Sequence, residues 1–146
     1  MTETNGLTLR MSRTLRVPRP KVWTAMVDPN QLTSWWGPRG FTVPELDFDP
    51  QTGQSYRIAM QPPEGEVFHL FGEFQDVEPP SRLTYTFAWD PPDDDDRNTQ
   101  VVLSLEDLGE QTEVNLSQGE FATQARLELH EGGWSDSFDK LEELLG

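Results

Sequence analysis

The amino-acid sequence predicts an α+β domain in which a curved antiparallel sheet of six to seven strands wraps around a long C-terminal helix. Three observations support this fold class. Two short helical patterns follow the first strand, strand patterns separated by turns fill the middle of the chain, and an amphipathic helix ends it. One helix cannot cover a flat sheet of that size, so the sheet must curl. A curled sheet with bulky inward side chains readily leaves a cavity.

The first elements are a half-buried strand and two short helices. Alternating apolar residues mark the strand from Leu7 to about Val17. Pro20 opens the first helix, because proline is tolerated in a first helical turn. The Asp28-Pro29-Asn30 segment stops that helix and caps a second one near Gln31 to Trp36.

The middle of the chain is predicted to contain six strands joined by turns. Their ranges are 41–47, 54–60, 67–77, 83–89, 99–105 and 112–117. Gly72 lies inside the third of these strands and indicates a bulge or a bend. Bulky and small side chains alternate along the fourth strand, which places Tyr85, Phe87 and Trp89 on one face of it.

The last element is an amphipathic helix. Trp134 and Phe138 lie one turn apart on its apolar face, and His130 lies one turn before Trp134 on the same face. Gly132 and Gly133 interrupt this pattern at a cost of about 1 kcal/mol of helix stability each. The glycine pair therefore predicts a bend or a close backbone approach.

Length and composition favour one domain over residues 1–146. Hydrophobic residues make up only 34% of the chain and the mean hydropathy is −0.65. Five Trp, eight Phe and two Tyr nevertheless provide enough large side chains for a core or a cavity wall. Disorder is expected only for residues 1–6, and the Asp-rich segment 90–97 is expected to form a mobile acidic loop.

Charge and cysteine content exclude several classes of function. The chain carries 11 Lys and Arg against 26 Asp and Glu, a formal net charge of −15 that disfavours nucleic acids and anionic membrane surfaces. The absence of cysteine excludes disulfides, thiolate catalysis and Cys-type zinc sites. Neither a secretory signal nor an apolar run of membrane-spanning length is visible, so a cytoplasmic location without membrane insertion is expected.

Four motifs occur in the order typical of a known family. They are Val22-Trp23-Thr24-Ala25 after the first strand, Trp35-Trp36-Gly37-Pro38, the segment from Gly72 to Leu83 with its Pro79-Pro80-Ser81-Arg82-Leu83 end, and His130-Glu131-Gly132-Gly133-Trp134. On these motifs the chain resembles the START-like (SRPBCC) superfamily, and within it the branch named after the activator of Hsp90 ATPase. The resemblance implies the helix-grip fold, also called Bet v 1-like, with a ligand cavity between sheet and C-terminal helix.

The resemblance leaves the function open. The superfamily includes lipid and hormone binders, polyketide cyclases and co-chaperone modules, and a fold alone does not determine which of these roles applies. The co-chaperone of this branch also carries a separate N-terminal domain that docks on Hsp90. This chain has no room for that domain, so Hsp90 is not expected as its partner.

The predicted ligand-binding residues are aromatic and histidine side chains that pattern and resemblance place near the cavity. They are Trp35, Trp36, Tyr56, His69, Phe71, Tyr85, Phe87, Trp89, His130, Trp134 and Phe138. The aromatic residues fit core packing equally well, and the histidines fit hydrogen-bonded structural roles. The Gly-Pro break that follows the tryptophan pair prevents both of its indoles from being buried in the same direction.

Metal and catalytic motifs are absent from the sequence. The two histidines have no metal-ligand spacing, and Asp93 to Asp96 lack the pattern of a calcium loop. No cofactor, metal or catalytic residue is therefore assigned. Arg57 and Arg126 are scarce cations that pair either with a ligand carboxylate or with surface acids.

Three functional hypotheses remain from the sequence. The first is binding of a small apolar or amphipathic molecule in the cavity. The second is a cyclase- or dehydratase-like enzyme that uses the same cavity with His or Tyr as the acid or base. The third is a protein-interaction module that uses the acidic surface.

Overall fold

The computed structural model describes residues 7–145, so the disorder predicted for residues 1–6 lies outside the described residues. Its elements are β1 (Leu9–Leu15), α1 (Arg19–Val27), α2 (Pro29–Trp35), β2 (Leu46–Asp47), β3 (Ser55–Met60), β4 (Phe68–Glu78), β5 (Arg82–Asp90), β6 (Thr99–Asp107), β7 (Thr112–Gly119) and α3 (Gln124–Leu145). All strand pairs are antiparallel, and they form one sheet in the order β1-β7-β6-β5-β4-β3-β2. The predicted helix-grip architecture of a curved sheet and a long C-terminal helix is confirmed.

The helix α3 contributes one face to the core. Trp134, Ser137, Phe138 and Leu141 are buried on that face, and His130 is buried one turn before them. Their spacing of three and four residues places them on one side of the helix, as the apolar pattern predicts. None of the helices within residues 7–145 combines the length and the apolar character needed to cross a membrane.

The two short helices are joined by local hydrogen bonds. The Asp28 side chain accepts a hydrogen bond from the Asn30 N–H at 2.9 Å and so caps α2. Trp35 ends α2, and its indole N–H donates to the Ala25 carbonyl in α1 at 2.8 Å. This buried indole fixes α2 against α1.

Most predicted strands are present, but the strand expected over residues 41–47 is almost absent. Only a single bridge between Thr42 and Gln61 and the two-residue β2 occur there. Pro44 lies between these two points and has no N–H for a ladder hydrogen bond, so pairing is interrupted. This segment is at the edge of the sheet, where little else enforces pairing.

Gly72 has a packing role within β4. The register shift that marks a bulge lies at Phe74/Asp76, whereas Gly72 pairs regularly with Tyr56. A Cβ at Gly72 would lie 2.0 Å from the Thr86 carbonyl oxygen, the atom to which the Tyr56 hydroxyl donates at 2.7 Å. Only glycine lets β4 approach β5 this closely.

The glycine pair in α3 requires no such approach. The helix is continuous from Gln124 to Leu145. A Cβ at Gly132 would meet nothing within 4 Å, and one at Gly133 would meet Pro38 Cγ at an ordinary 3.7 Å. The close backbone approach, one of the two alternatives predicted from the pair, is therefore wrong, and the bend stays a prediction.

Candidate ligand-binding site

A cavity of about 380 Å³ lies between the sheet and α3. This volume is within the range of about 300–1,000 Å³ typical of small-molecule sites. Its wall is mainly aromatic and aliphatic. The apolar lining residues are Trp36, Pro38, Phe41, Met60, Phe68, Leu70, Phe87, Trp89, Pro91, Leu129 and Trp134. Leu129 is 60% exposed, which places the cavity mouth beside this turn of α3.

Aromatic rings from four parts of the chain meet along the wall. Trp36, directly after α2, packs edge-on against Trp134 of α3 with ring centroids 5.4 Å apart. Phe87 and Trp89 of β5 are 5.1 Å apart, and Trp89 also contacts Phe68 of β4 at 5.4 Å. These spacings are typical of favourable aromatic pairs, so the rings support one another while leaving space between them.

Ser137 and Lys140 of α3, which we call the clamp, position Trp36 through hydrogen bonds to the backbone of Trp36 and Gly37. Gly37, next in the chain, has φ +86°, a conformation that favours glycine, and its N–H donates to Ser137 Oγ at 2.9 Å. The Ser137 hydroxyl is also 3.2 Å from the Gly37 carbonyl, and Lys140 Nζ donates to the Trp36 carbonyl at 3.2 Å. Burial lowers the pKa of Lys140, which indicates that this ammonium is partly withdrawn from water.

His130 is held in one neutral tautomer. Its Nδ1 lies 2.7 Å from the Arg126 carbonyl, and its Nε2 lies 3.0 Å from the indole nitrogen of Trp89. The carbonyl can only accept and the indole N–H can only donate, so Nδ1 carries the proton and Nε2 is unprotonated. Burial lowers the pKa of His130, which disfavours the charged form of the ring. Both ring nitrogens are engaged by the protein, and the histidine fixes Trp89.

The charged residues of the cavity lie at one end of it. Arg126 on α3 contacts three aspartates of the acidic loop, with Nη2 2.5 Å from Asp93 and Nε 3.0 Å from Asp95 and 3.5 Å from Asp96. A hydrogen bond from Arg126 lowers the pKa of Asp95. These ion pairs connect the loop 90–97 to α3, and the mobility of that loop stays a prediction. Within residues 7–145, no group of three or more His, Asp or Glu side chains is arranged to hold a metal ion.

Five of the predicted site residues line the cavity. They are Trp36, Phe87, Trp89, His130 and Trp134. Trp35 and Phe138 are buried in the hydrophobic core instead, with only 1% of each residue exposed. The two tryptophans that precede the Gly-Pro break therefore point in different directions, one into the core and one to the cavity.

Tyr56 and Tyr85 belong to a separate cluster of buried aromatic rings in mutual contact. We name it the closed cluster; it consists of Phe48, Tyr56, Phe74 and Tyr85, with contacting rings 5.2–5.9 Å apart. Burial raises the pKa of both tyrosines well above the usual value. Their placement in the cavity wall is corrected, because Phe48 and Phe74 fill the space around them.

His69 and Phe71 lie on the face of β4 that points away from the cavity. Phe68 and Leu70, in the alternate positions, line it. Phe71 is 40% exposed and lies under the Arg57 guanidinium, 6.0 Å from ring centroid to Cζ. The prediction that His69 and Phe71 face the cavity is thus wrong. The alternate row, one residue earlier, faces it instead.

The sequence contained one signal that identifies the inward face of β4. Glu73 and Gln75 follow His69 and Phe71 in the same alternating row, whereas Phe74 follows Phe68 and Leu70. The polar row belongs on the solvent face. Other lining residues missed from sequence, among them Phe41, Met60 and Leu129, lie outside any regular pattern shared with the predicted site.

Comparison with known proteins identifies the family. The family model described as Activator of Hsp90 ATPase homolog 1-like protein matches residues 16–146. The chain belongs to this family. The resemblance found in the sequence motifs is therefore confirmed. Comparison with functionally curated proteins gives no match.

Solved bacterial structures are similar to this family member over nearly the whole chain. A protein from Chromobacterium violaceum is 25% identical with a TM-score of 0.86, and the match covers 95% of this chain and 96% of that one. The AHSA1 protein from Silicibacter pomeroyi is 29% identical, with a TM-score of 0.83 and coverage of 94% and 96%. A protein from Nitrosomonas europaea is 26% identical, with a TM-score of 0.82 and coverage of 98% and 96%.

Proposed function

We propose that this family member binds a small apolar or amphipathic molecule in the cavity between its sheet and α3. The observation that carries the proposal is a cavity of about 380 Å³ with an aromatic lining. Two of its lining tryptophans are held in position by other residues of the protein. Trp36 is held by the clamp on α3, and Trp89 is held by His130. Walls positioned in advance lower the cost of ordering them around a ligand.

The size of the expected affinity follows from the apolar area. A naphthalene-sized body buries about 200 Å² of aromatic surface. At about 25 cal/mol per Å², this burial contributes about 5 kcal/mol. A dissociation constant on the order of 10⁻⁴ M is therefore expected for a small neutral probe.

The contacts of the titratable side chains favour binding over catalysis. Both ring nitrogens of His130 are engaged by protein groups, and the tyrosine hydroxyls lie in the closed cluster. Asp93 and Asp96 are ion-paired with Arg126. His130 and Tyr56, two of the groups that a cyclase or dehydratase could use as acid or base, are thus committed to structural hydrogen bonds.

The glycine pair of α3 provides a matched test. Gly133 lines the cavity, whereas Gly132 is exposed, and a Cβ added at either position meets no close contact. Gly133→Leu introduces a four-carbon side chain into the cavity, while Gly132→Leu places the same side chain in solvent. Both substitutions favour the helix by about 1 kcal/mol, so a difference between them reports on the cavity.

Binding is measured by fluorescence titration with phenylnaphthylamine, a neutral probe whose emission rises in apolar surroundings. The wild type and Gly132→Leu are expected to bind it equally, and Gly133→Leu at least tenfold more weakly. Circular dichroism confirms that all three proteins are folded. Absence of binding to the wild type, or equal binding by Gly133→Leu, would contradict the proposal. Native mass spectrometry of freshly purified protein then identifies any co-purified ligand.

A further inference from the structure

The polar end of the cavity has more negative than positive charge. Asp93, Asp96 and Arg126 are the charged residues of the lining, and Asp95 pairs with the same guanidinium. Three carboxylates share one guanidinium, so two negative charges in this group are not compensated. Asp96 is central because only 7% of its side chain is exposed and its contact with Arg126 is the longest of the three. Its Oδ2 also accepts a hydrogen bond from the Asp93 N–H at 2.7 Å, a neutral donor that adds no positive charge.

The other cations near this end are engaged elsewhere. Lys140 donates to the carbonyl groups of Trp36 and Pro38. His130 is neutral, as its hydrogen bonds require. Arg97 lines a groove on the outer face of the sheet and not the cavity, although Asp96 borders both. Arg126 itself is already surrounded by aspartates, so the cavity lining presents no uncommitted positive charge to a ligand.

The aromatic wall favours cationic ligands as well, independently of the aspartates. The faces of tryptophan rings carry negative electrostatic potential and attract cations, by about 0.5–2 kcal/mol in measured cases. Trp36, Trp89 and Trp134 all line the cavity. The chain as a whole has a formal net charge of −15, which raises the local concentration of cations around it.

We infer that the ligand of this cavity is an amphipathic cation, with an aromatic or alicyclic body against the tryptophans and a protonated amine directed to Asp96. The inference rests on the proposed binding function and specifies its ligand class. A carboxylate ligand would have to displace one aspartate from Arg126. Displacing Asp96 would leave a largely buried carboxylate without its cationic partner, which is costly, whereas the side chains of Asp93 and Asp95 are 70% and 42% exposed.

The inference is tested with three compounds that share one body and differ in the head group: naphthylethylamine, naphthylethanol and naphthylacetate. Isothermal titration calorimetry at neutral pH and low ionic strength measures each dissociation constant. We expect the ammonium to bind about tenfold more tightly than the alcohol, and the carboxylate about tenfold more weakly. Added salt is expected to reduce both differences.

Asp96→Asn and Asp94→Asn form a matched pair of variants. Each removes one negative charge from the acidic loop, but Asp94 is exposed and lies outside the cavity lining. We expect Asp96→Asn to reduce the preference for the ammonium over the alcohol about fivefold, and Asp94→Asn to leave it nearly unchanged. Equal reductions in both variants would contradict the role assigned to Asp96.

The outcomes separate this inference from the binding function on which it rests. If none of the three compounds binds, the proposed function fails. If the alcohol binds and the carboxylate binds as tightly as the ammonium, the cavity binds ligands but the charge selection is overturned. Ammonium binding that exceeds alcohol binding in the wild type and is weakened in Asp96→Asn supports both.

Discussion

The two aromatic groups on the inner face of this sheet differ in what lies between their rings. In the closed cluster, Phe74 has no exposed surface and touches three other rings. Around the cavity, Phe68 on the same strand and the same face is half-buried and faces about 380 Å³ of open volume. The filled core and the cavity thus lie only six positions apart along β4.

The strand β5 passes through both regions. Tyr85 is in the closed cluster, whereas Phe87 and Trp89 line the cavity. The two ends of β5 differ because different residues pack against its inner face. At one end Tyr56 pairs with Gly72 and its hydroxyl reaches the Thr86 carbonyl on β5, while α3 presents Gly133 at the other end. Gly133 on α3 leaves space opposite Phe87 and Trp89, whereas the Tyr56 ring fills the corresponding space opposite Tyr85.

The largest expected effect is loss of stability when the closed cluster is opened. Phe74→Ala should lower the free energy of unfolding by about 4 kcal/mol, because a cavity forms among well-packed rings. Phe68→Ala should cost about 2 kcal/mol less, since that ring already lacks contacts on its cavity side. Urea denaturation measures both. Equal losses would show that the two regions are packed alike.

A second test concerns the residue that separates the two regions. Gly72→Ala places a Cβ 2.0 Å from the Thr86 carbonyl oxygen, so β4 and β5 must move apart and the Tyr56 hydrogen bond is lost. We expect a loss of about 3 kcal/mol, at the upper end of overpacking costs. Gly132→Ala, which meets no neighbour, should instead stabilise the protein by about 1 kcal/mol. A neutral Gly72→Ala variant would refute the close approach.

The smallest expected effect is a pH dependence that arises at the cavity. Burial lowers the pKa of His130 below its usual 6.5, so the unfolded chain takes up a proton more readily than the folded one. Stability is therefore complete above the usual pKa and falls as the pH decreases through it. His130→Phe should flatten this dependence between about pH 7.5 and pH 5.5, and His69→Asn should retain it. An unchanged slope in His130→Phe would exclude His130 as its source.

The sequence predicts the fold better than it predicts the site. Alternation along β5 and the helical spacing of Trp134 and Phe138 are local properties, and they follow directly from residue order. Whether an inward ring packs against another ring or faces a cavity depends on distant segments. The Tyr56–Thr86 contact spans 30 residues, and Ser137 holds Gly37 across 100 residues. Local residue patterns do not show which residues so far apart in the sequence come into contact.

The indole N–H signals of the five tryptophans test the central claim most directly. Trp36, Trp89 and Trp134 line the cavity, whereas Trp35 is buried in the core and Trp23 lies on α1. In a nitrogen–proton correlation spectrum, titration with naphthylethanol should shift the signals of the three lining tryptophans. The signals of Trp35 and Trp23 should stay in place. Saturable shifts confined to Trp35 or Trp23, or no saturable shift at all, would contradict ligand binding in this cavity.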